Sequence, residues 1–94
     1  MNPIEILKNN EILIKGKYPV KKLGVFGSFA RGDDTGESDI DVLVEFTEPV
    51  DIFEFIDLKE FLEALLGKTV DLVSIKALKP FLKNKILSEV IYVQ

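Results

Sequence analysis

The most informative part of the chain is the stretch GSFARGDDTGESDIDVLVEF, residues 27–46. Gly27 and Ser28 open it as a turn suited to phosphate, and after a spacer of ten residues Asp39 and Asp41 begin an alternating segment typical of a strand. Because successive side chains of a strand alternate faces, both aspartates lie on one face. Two such close carboxylates repel each other unless a cation lies between them, and Mg²⁺ is commonly shared between carboxylates and substrate phosphates. The stretch therefore predicts a nucleotide-handling site.

The composition limits the chemistry that the chain can use. It has 94 residues, of which 47% are apolar, with no cysteine and no histidine. This size predicts one folded domain over residues 1–94. Without thiols or imidazoles, catalysis must depend on carboxylates, lysines or hydroxyls. No apolar run is long enough to cross a bilayer and the start does not resemble a signal peptide, so we expect a cytoplasmic protein with no membrane partner.

Charge is distributed unevenly along the chain, whose net charge is −4. Ten acids and no Lys or Arg lie between residues 32 and 58, whereas four lysines and no acid lie between residues 76 and 85. The acidic balance argues against a broad nucleic-acid surface, and we expect no stable nucleic-acid binding. The two segments are able to complement each other within the fold or across to a protein partner.

Hydrophobic periodicity predicts an α/β (α+β) fold, a small mixed β-sheet with helices packed on it. A first helix is expected from Pro3 to about Lys15, and Phe29 to Arg31 form one helical turn. Asp51 begins a long helix that stops at Gly67, and Pro80 begins the last helix. The apolar stripe of that last helix consists of Phe81, Leu82, Ile86 and Leu87. Four strands are predicted, over Leu23–Phe26, Ser38–Phe46, Val70–Ser74 and Ile91–Val93.

Each half of the motif also has an ordinary explanation. A Gly-Ser pair is usually a simple turn, and alternating acids usually mean a solvated strand face. Asp71 strengthens the functional interpretation because it lies on a separate strand, with Val70 and Leu72 on the opposite face. If that strand neighbours the one bearing Asp39 and Asp41, three carboxylates converge on one side of the sheet. Such a cluster is costly without a metal ion.

The combined motif resembles the signature of the DNA polymerase β-type nucleotidyltransferase superfamily, through GSFARG at 27–32, the spacer, and SDIDVLV at 38–44. The short length, GKTVDLV at 67–73, ALKP at 77–80 and the Ile86-Leu87 pair resemble its minimal nucleotidyltransferase (MNT) branch. The resemblance covers nearly the whole chain. It implies a polymerase β palm-like fold.

The resemblance also implies a mechanism and a set of site residues. It assigns catalysis and metal binding to three carboxylates, Asp39, Asp41 and Asp71. It assigns nucleotide binding to Gly27, Ser28, Arg31 and Ser38. Two Mg²⁺ ions would bridge the triphosphate and the attacking oxygen, which displaces pyrophosphate at the α-phosphorus.

MNT proteins are typically antitoxins paired with a HEPN-family RNase toxin. The resemblance therefore implies Mg²⁺-dependent transfer of AMP from ATP to a tyrosine of such a toxin, within a hetero-oligomer. We expect the lysines from Lys76 to Lys85, or the acidic surface, to dock the partner. Two alternatives remain open at this point. One is a binding module that neutralises its partner by contact alone, and the other is nucleotidyl transfer to a small molecule or RNA.

Overall fold

The computed structural model, which describes residues 2–93, begins with two short helices where the sequence predicted one. Helix α1 spans Pro3–Asn9 and helix α2 spans Glu11–Lys17. They are separated by Asn10, whose φ of −110° and ψ of 12° are not helical. Its side-chain amide donates to the carbonyl of Ile6 at 2.8 Å. The single predicted helix is therefore wrong, because a side chain that bonds nearby backbone offers the chain an alternative to the helical pattern.

The four strands form one mixed sheet, which confirms the predicted fold class. Strand β1 spans Val20–Phe26, β2 spans Ile40–Phe46, β3 spans Val70–Ser74 and β4 spans Ile91–Tyr92. Their spatial order is β3-β2-β1-β4. The β2–β3 pair is parallel, whereas β1 pairs antiparallel with both β2 and β4.

The first strand begins three residues before its predicted start at Leu23. Its register with β2 is irregular between Val20 and Lys22, and both Lys21 and Lys22 are exposed. Such an irregularity interrupts the alternation of apolar and polar residues that marks a strand in the sequence. The second strand begins at Ile40 rather than Ser38.

Three further helices complete the described chain. Helix α3 is the short turn Ser28–Arg31, α4 spans Ile52–Leu66 and α5 spans Pro80–Glu89, with one 3₁₀ turn at Ile75–Ala77. The Asp51 carboxylate accepts the N–H of Glu54 at 2.8 Å and caps the start of α4. The helix ends at Gly67, whose φ of 68° is left-handed. Both ends of the long helix therefore lie where the capping residues predicted them.

The hydrophobic core lies between one face of the sheet and helices α1, α2 and α4. On this face β2 contributes three fully buried side chains, Ile40, Val42 and Val44. Helix α4 covers them with Leu58, Leu62 and Leu66. Because strand side chains alternate, the intervening Asp41 projects from the opposite face of the sheet. Packing one face of β2 therefore decides where the acidic side chain lies.

Helix α5 contributes little to this core, although its sequence predicted an apolar stripe. None of its residues is buried, and Phe81 is 71% exposed. By contrast, the two phenylalanines in the first turn of α4 differ in their exposure. Phe53 is 80% exposed, whereas Phe55 packs against the core with its ring centroid 6.3 Å from that of Phe46.

Between residues 2 and 93, no helix is long and apolar enough to span a bilayer.

Gly24 lets the end of α5 approach the sheet closely. A Cβ atom on Gly24 would lie 2.6 Å from Cγ2 of Val90 and 3.1 Å from the carbonyl oxygen of Ile91. We expect Gly24→Ala to lower the free energy of unfolding by about 1–3 kcal/mol, because the added methyl group overpacks this contact. Urea denaturation followed by circular dichroism measures the change.

Gly16→Ala provides the matched control, since nothing lies within 4 Å of a Cβ built there. Gly16 lies within α2, where alanine is the better helix former, so we expect a gain of about 0.4–1 kcal/mol. Equal effects of the two substitutions would contradict the packing role of Gly24.

Candidate active site

The sheet brings two predicted carboxylates into register on neighbouring strands. Asp41 of β2 lies opposite Asp71 of β3 in the parallel pair and opposite Phe26 of β1 in the antiparallel pair. Asp39 immediately precedes β2. The expected adjacency of the strands that bear Asp41 and Asp71 is therefore present. Both Asp39 and Asp71 are exposed, whereas Asp41 is half-buried.

The electrostatics of Asp41 reflect this crowding. Its pKa is raised above the ordinary value, first by burial and then by the negative charges of Asp71 and Asp39. Glu89 adds to the rise, while the positive charge of Arg31 opposes it. Ionised Asp41 is thus held in a region of negative potential. A cation or a cationic ligand bound here would relieve that cost.

The carboxylates fit a metal ion that is shared with a substrate better than one held by protein alone. Among residues 2–93, no three acidic side chains are placed to hold one ion jointly. Of the expected convergence, the structure therefore shows Asp41 opposite Asp71 and repulsion from Asp71 and Asp39. In the described residues the three carboxylates do not form a complete metal-binding group. Mg²⁺ usually takes only one or two carboxylates and fills its remaining positions with water and phosphate oxygens. Asp39, Asp41 and Asp71 supply hard oxygen donors of that kind.

Gly27 connects β1 to α3 in a conformation that other residues avoid. Its φ is 73° and its ψ is −150°, a region that is essentially restricted to glycine. A Cβ atom at this position would lie 3.0 Å from Cγ of Asp41 and would be closer still to one of its carboxylate oxygens. The absence of a side chain at Gly27 therefore lets the Asp41 carboxylate lie directly against the turn. This contact joins the predicted phosphate turn to the predicted metal-binding carboxylates.

The two predicted serines differ in their surroundings. Ser28 is half-buried and is the first residue of α3, directly after Gly27. Ser38 accepts the N–H of Thr35 at 2.8 Å, and its hydroxyl lies 3.1 Å from the Thr35 hydroxyl. Lys68 secures the same loop by donating to the carbonyl of Gly36 at 2.7 Å. In this structure Ser38 organises the loop before β2, and its role in nucleotide binding stays a prediction.

Arg31 lies between two carboxylates. Its Nε is 3.2 Å from Oδ2 of Asp33, and its Nη1 is 3.4 Å from each carboxylate oxygen of Glu89. Glu89 also accepts the N–H of Gly27 at 3.2 Å. Sequence reasoning missed Glu89, which is the only acid after Asp71. Its isolation among lysines was the available signal, although nothing in the sequence linked it to the turn.

Comparison with known proteins gives these features a family context. The nucleotidyltransferase domain family matches residues 8–93. Protein adenylyltransferase MntA of Thermococcus cleftensis is 43% identical over 88 residues, covering 94% of this chain and 89% of that protein. The structure of a provisionally identified minimal nucleotidyltransferase has a TM-score of 0.78 at 36% identity, covering 97% of this chain and 95% of that chain. These matches confirm the resemblance to the minimal nucleotidyltransferases.

A more distant solved structure has the same fold. It contains a tri-AMPylated Shewanella oneidensis HEPN toxin in complex with an MNT antitoxin. Its TM-score is 0.72 at 20% identity, covering 97% of this chain and 71% of that chain.

The position of Asp41 predicts a pH-dependent gain in stability from Asp41→Asn. A raised folded-state pKa means that the folded protein binds more protons than the unfolded chain, so stability falls as pH rises through the window above 3.8. At neutral pH and without metal, the amide removes that cost. We expect a gain of up to about 1 kcal/mol, kept small because the group is partly solvated. Thermal unfolding in a chelator at pH 7 and pH 3 measures it.

The gain should disappear at pH 3, where both variants are uncharged at this position. Asp34→Asn, which removes an exposed charge from the loop, is the matched control. An equal gain at both pH values would contradict the electrostatic explanation.

Gly27→Ala should destabilise the protein more than Gly32→Ala. Both glycines have positive φ, 73° and 79°, but only Gly27 has the Asp41 carboxylate in the space of a Cβ atom. We expect about 1–2 kcal/mol of destabilisation for Gly32→Ala from its left-handed backbone alone. Gly27→Ala should cost at least about 1 kcal/mol more because steric overlap is added to strain. Comparable urea midpoints for the two variants would refute the close approach of Asp41.

Proposed function

Because this chain belongs to the nucleotidyltransferase domain family, we propose that it transfers AMP from ATP to a tyrosine of a partner HEPN-type RNase toxin and acts as the antitoxin of that pair. The chain is an enzyme of the nucleotidyltransferase class. The ATP specificity, the Mg²⁺ requirement, the tyrosine and the toxin are the proposed parts. The name of the T. cleftensis relative and the description of the S. oneidensis complex support the nucleotide and the toxin. The hard oxygen donors of Asp39, Asp41 and Asp71 support Mg²⁺, and the tyrosine rests on the family resemblance.

One observation carries the proposal: the Asp41 carboxylate lies against the Gly27 turn. A nucleotidyltransferase must bind the triphosphate beside carboxylates, because these hold the metal ions that neutralise the phosphate charge. Here Asp41 has Asp71 on one neighbouring strand and the end of β1 on the other. The phosphate-binding and acidic parts of the site therefore meet at one residue.

The residues divide the chemistry between them in this proposal. The N–H groups of the turn, the hydroxyl of Ser28 and the guanidinium of Arg31 bind phosphate oxygens, and Asp39 and Asp41 would hold Mg²⁺. Bound Mg²⁺ would neutralise phosphate charge and favour ionisation of the acceptor hydroxyl. Asp71 would share in ion binding and receive the hydroxyl proton. The acceptor oxygen forms a bond to the α-phosphorus as the bond to the β-phosphate oxygen breaks, and pyrophosphate leaves.

The open face of the site suits a macromolecular acceptor. Asp39 and Asp71 are both exposed, so a side chain carried on another protein can approach the carboxylates. Apolar side chains exposed elsewhere on the chain, such as Phe53 and Phe81, offer area for protein contact. The same surfaces would serve an antitoxin that acts by contact alone, and an experiment must separate the two functions.

The test combines the purified chain, Mg²⁺ and α-labelled ATP with a lysate of the source organism. We expect a labelled protein band, and mass spectrometry should locate AMP on a tyrosine. The Asp39→Asn/Asp41→Asn variant should reduce labelling by at least about 100-fold, because it removes the principal metal-binding charges. Asp34→Asn/Glu37→Gln is the matched control, since it removes two exposed charges from the preceding loop.

Different results would reassign the function. Neutralisation of the partner by the Asp39→Asn/Asp41→Asn variant, with no labelling by either protein, would favour the contact antitoxin. A labelled band that is sensitive to nuclease would favour transfer to RNA. Labelling on a residue other than tyrosine would overturn that part of the proposal alone.

A further inference from the structure

The carboxylate of Glu89 lies on groups that the proposed function gives to phosphate. It is the last residue of α5, and its Oε1 accepts the N–H of Gly27 at 3.2 Å. Both of its oxygens are 3.4 Å from Nη1 of Arg31. The Glu89 side chain is 21% exposed and that of Arg31 is 47% exposed, so the ion pair is partly open to solvent. The Glu89 carboxylate thus connects the backbone of Gly27 to the guanidinium of Arg31.

A triphosphate and this carboxylate would compete for the same donors. Phosphate and carboxylate oxygens are both anionic acceptors, and both pair with guanidinium and backbone N–H groups. Gly27 has one backbone N–H, and Arg31 is the only arginine in the chain. The other contact of Arg31, through Nε, is to Asp33. Binding of a phosphate oxygen to the Gly27 N–H therefore requires Glu89 to withdraw, and a phosphate oxygen at Nη1 of Arg31 would compete with the same carboxylate.

The helix that carries Glu89 is able to withdraw at small cost to the core. None of the residues from Pro80 to Glu89 is buried, and Phe81 at its start is 71% exposed. Gly24 is the point at which the following segment meets β1 closely, through Val90. Because α5 has no buried residue, a change of the Glu89 side-chain rotamer leaves the core packing intact.

We propose that Glu89 is an internal competitor of the triphosphate, which occupies Gly27 and Arg31 in the nucleotide-free protein and lowers the affinity for nucleotide. The inference rests on the proposed function, because it takes the same turn as the phosphate site. Glu89 is a residue that determines affinity and does not touch the reacting atoms. Its displacement also removes a negative charge from the neighbourhood of Asp41 as the more highly charged phosphate enters.

The test measures binding of Mg²⁺–ATP and of inorganic tripolyphosphate to the full chain by isothermal titration calorimetry. Glu89→Gln keeps the shape and an acceptor oxygen but removes the charge. We expect about threefold to tenfold tighter binding of both ligands, the range set by the loss of one partly exposed ionic competitor. Glu60→Gln, on the exposed surface of α4, should leave both dissociation constants unchanged.

Glu89→Asp provides a second variant that keeps the charge but shortens its reach, and it should also tighten binding. It serves as the primary test if circular dichroism shows that Glu89→Gln does not fold. Unchanged or weaker binding in a folded variant, with normal binding by the wild type, would overturn the competitor role and leave the proposed function standing. Absence of binding in the wild type and both variants would overturn both. Binding only after substitution would support a strong internal competitor.

Discussion

The contact between the Asp41 carboxylate and the backbone of Gly27 is the constraint on which the site depends. Strand β2 presents Asp41 from the face opposite the core, and β1 ends beside it at a residue without a Cβ atom. Any larger residue would have to displace the carboxylate or the turn. The positive φ of Gly27 also directs the chain into α3. The position of the Asp41 carboxylate and the geometry of the turn therefore both depend on glycine at position 27.

One face of β2 packs into the main core, and the other carries Asp41 beside the buried Leu43. Ile40, Val42 and Val44 are fully buried under helices, whereas Asp41 lies between them in sequence and points the other way. A slip of one residue in this register would bury the acid and expose the aliphatic side chains. The core thus enforces the position of a carboxylate whose own environment is unfavourable. Burial, and then the negative charges of Asp71 and Asp39, raise the pKa of Asp41 above its ordinary value.

Helix α5 shows a different relationship between packing and function. Phe81, Leu82 and Leu87 are exposed, yet the last residue of the helix reaches Gly27 and Arg31. Pairing of β4 with β1 places the helix end there, with Gly24 opposite Tyr92. A lightly packed helix that ends beside the Gly27 turn is suited to small movements. A firmly buried helix at the same place would hold Glu89 permanently on the turn.

Much of the fold followed from local sequence because periodicity and caps are local properties. Asp51 and Gly67 marked both ends of α4, and alternation identified β2 and β3, which hold Asp41 opposite Asp71. The helix prediction was wrong at Asn10, where the side chain bonds to nearby backbone. The start of β1 at Val20 was missed because its register with β2 is irregular. At Asn10 the apolar residues repeat as expected while the backbone departs from the helix, whereas near Val20 the irregular register breaks the alternation itself.

The tertiary structure alone decided the surroundings of the turn. Glu89 is 62 residues from Gly27 in the chain, and no local pattern relates the two. Strand pairing brings them together, and the same pairing determines which donors of Arg31 are occupied. By itself the sequence determined which candidate site residues the chain offers and which strands carry or adjoin them, because a motif with fixed spacing records both. Only the folded chain determined which charges oppose each other, because Coulomb interactions depend on distance in space.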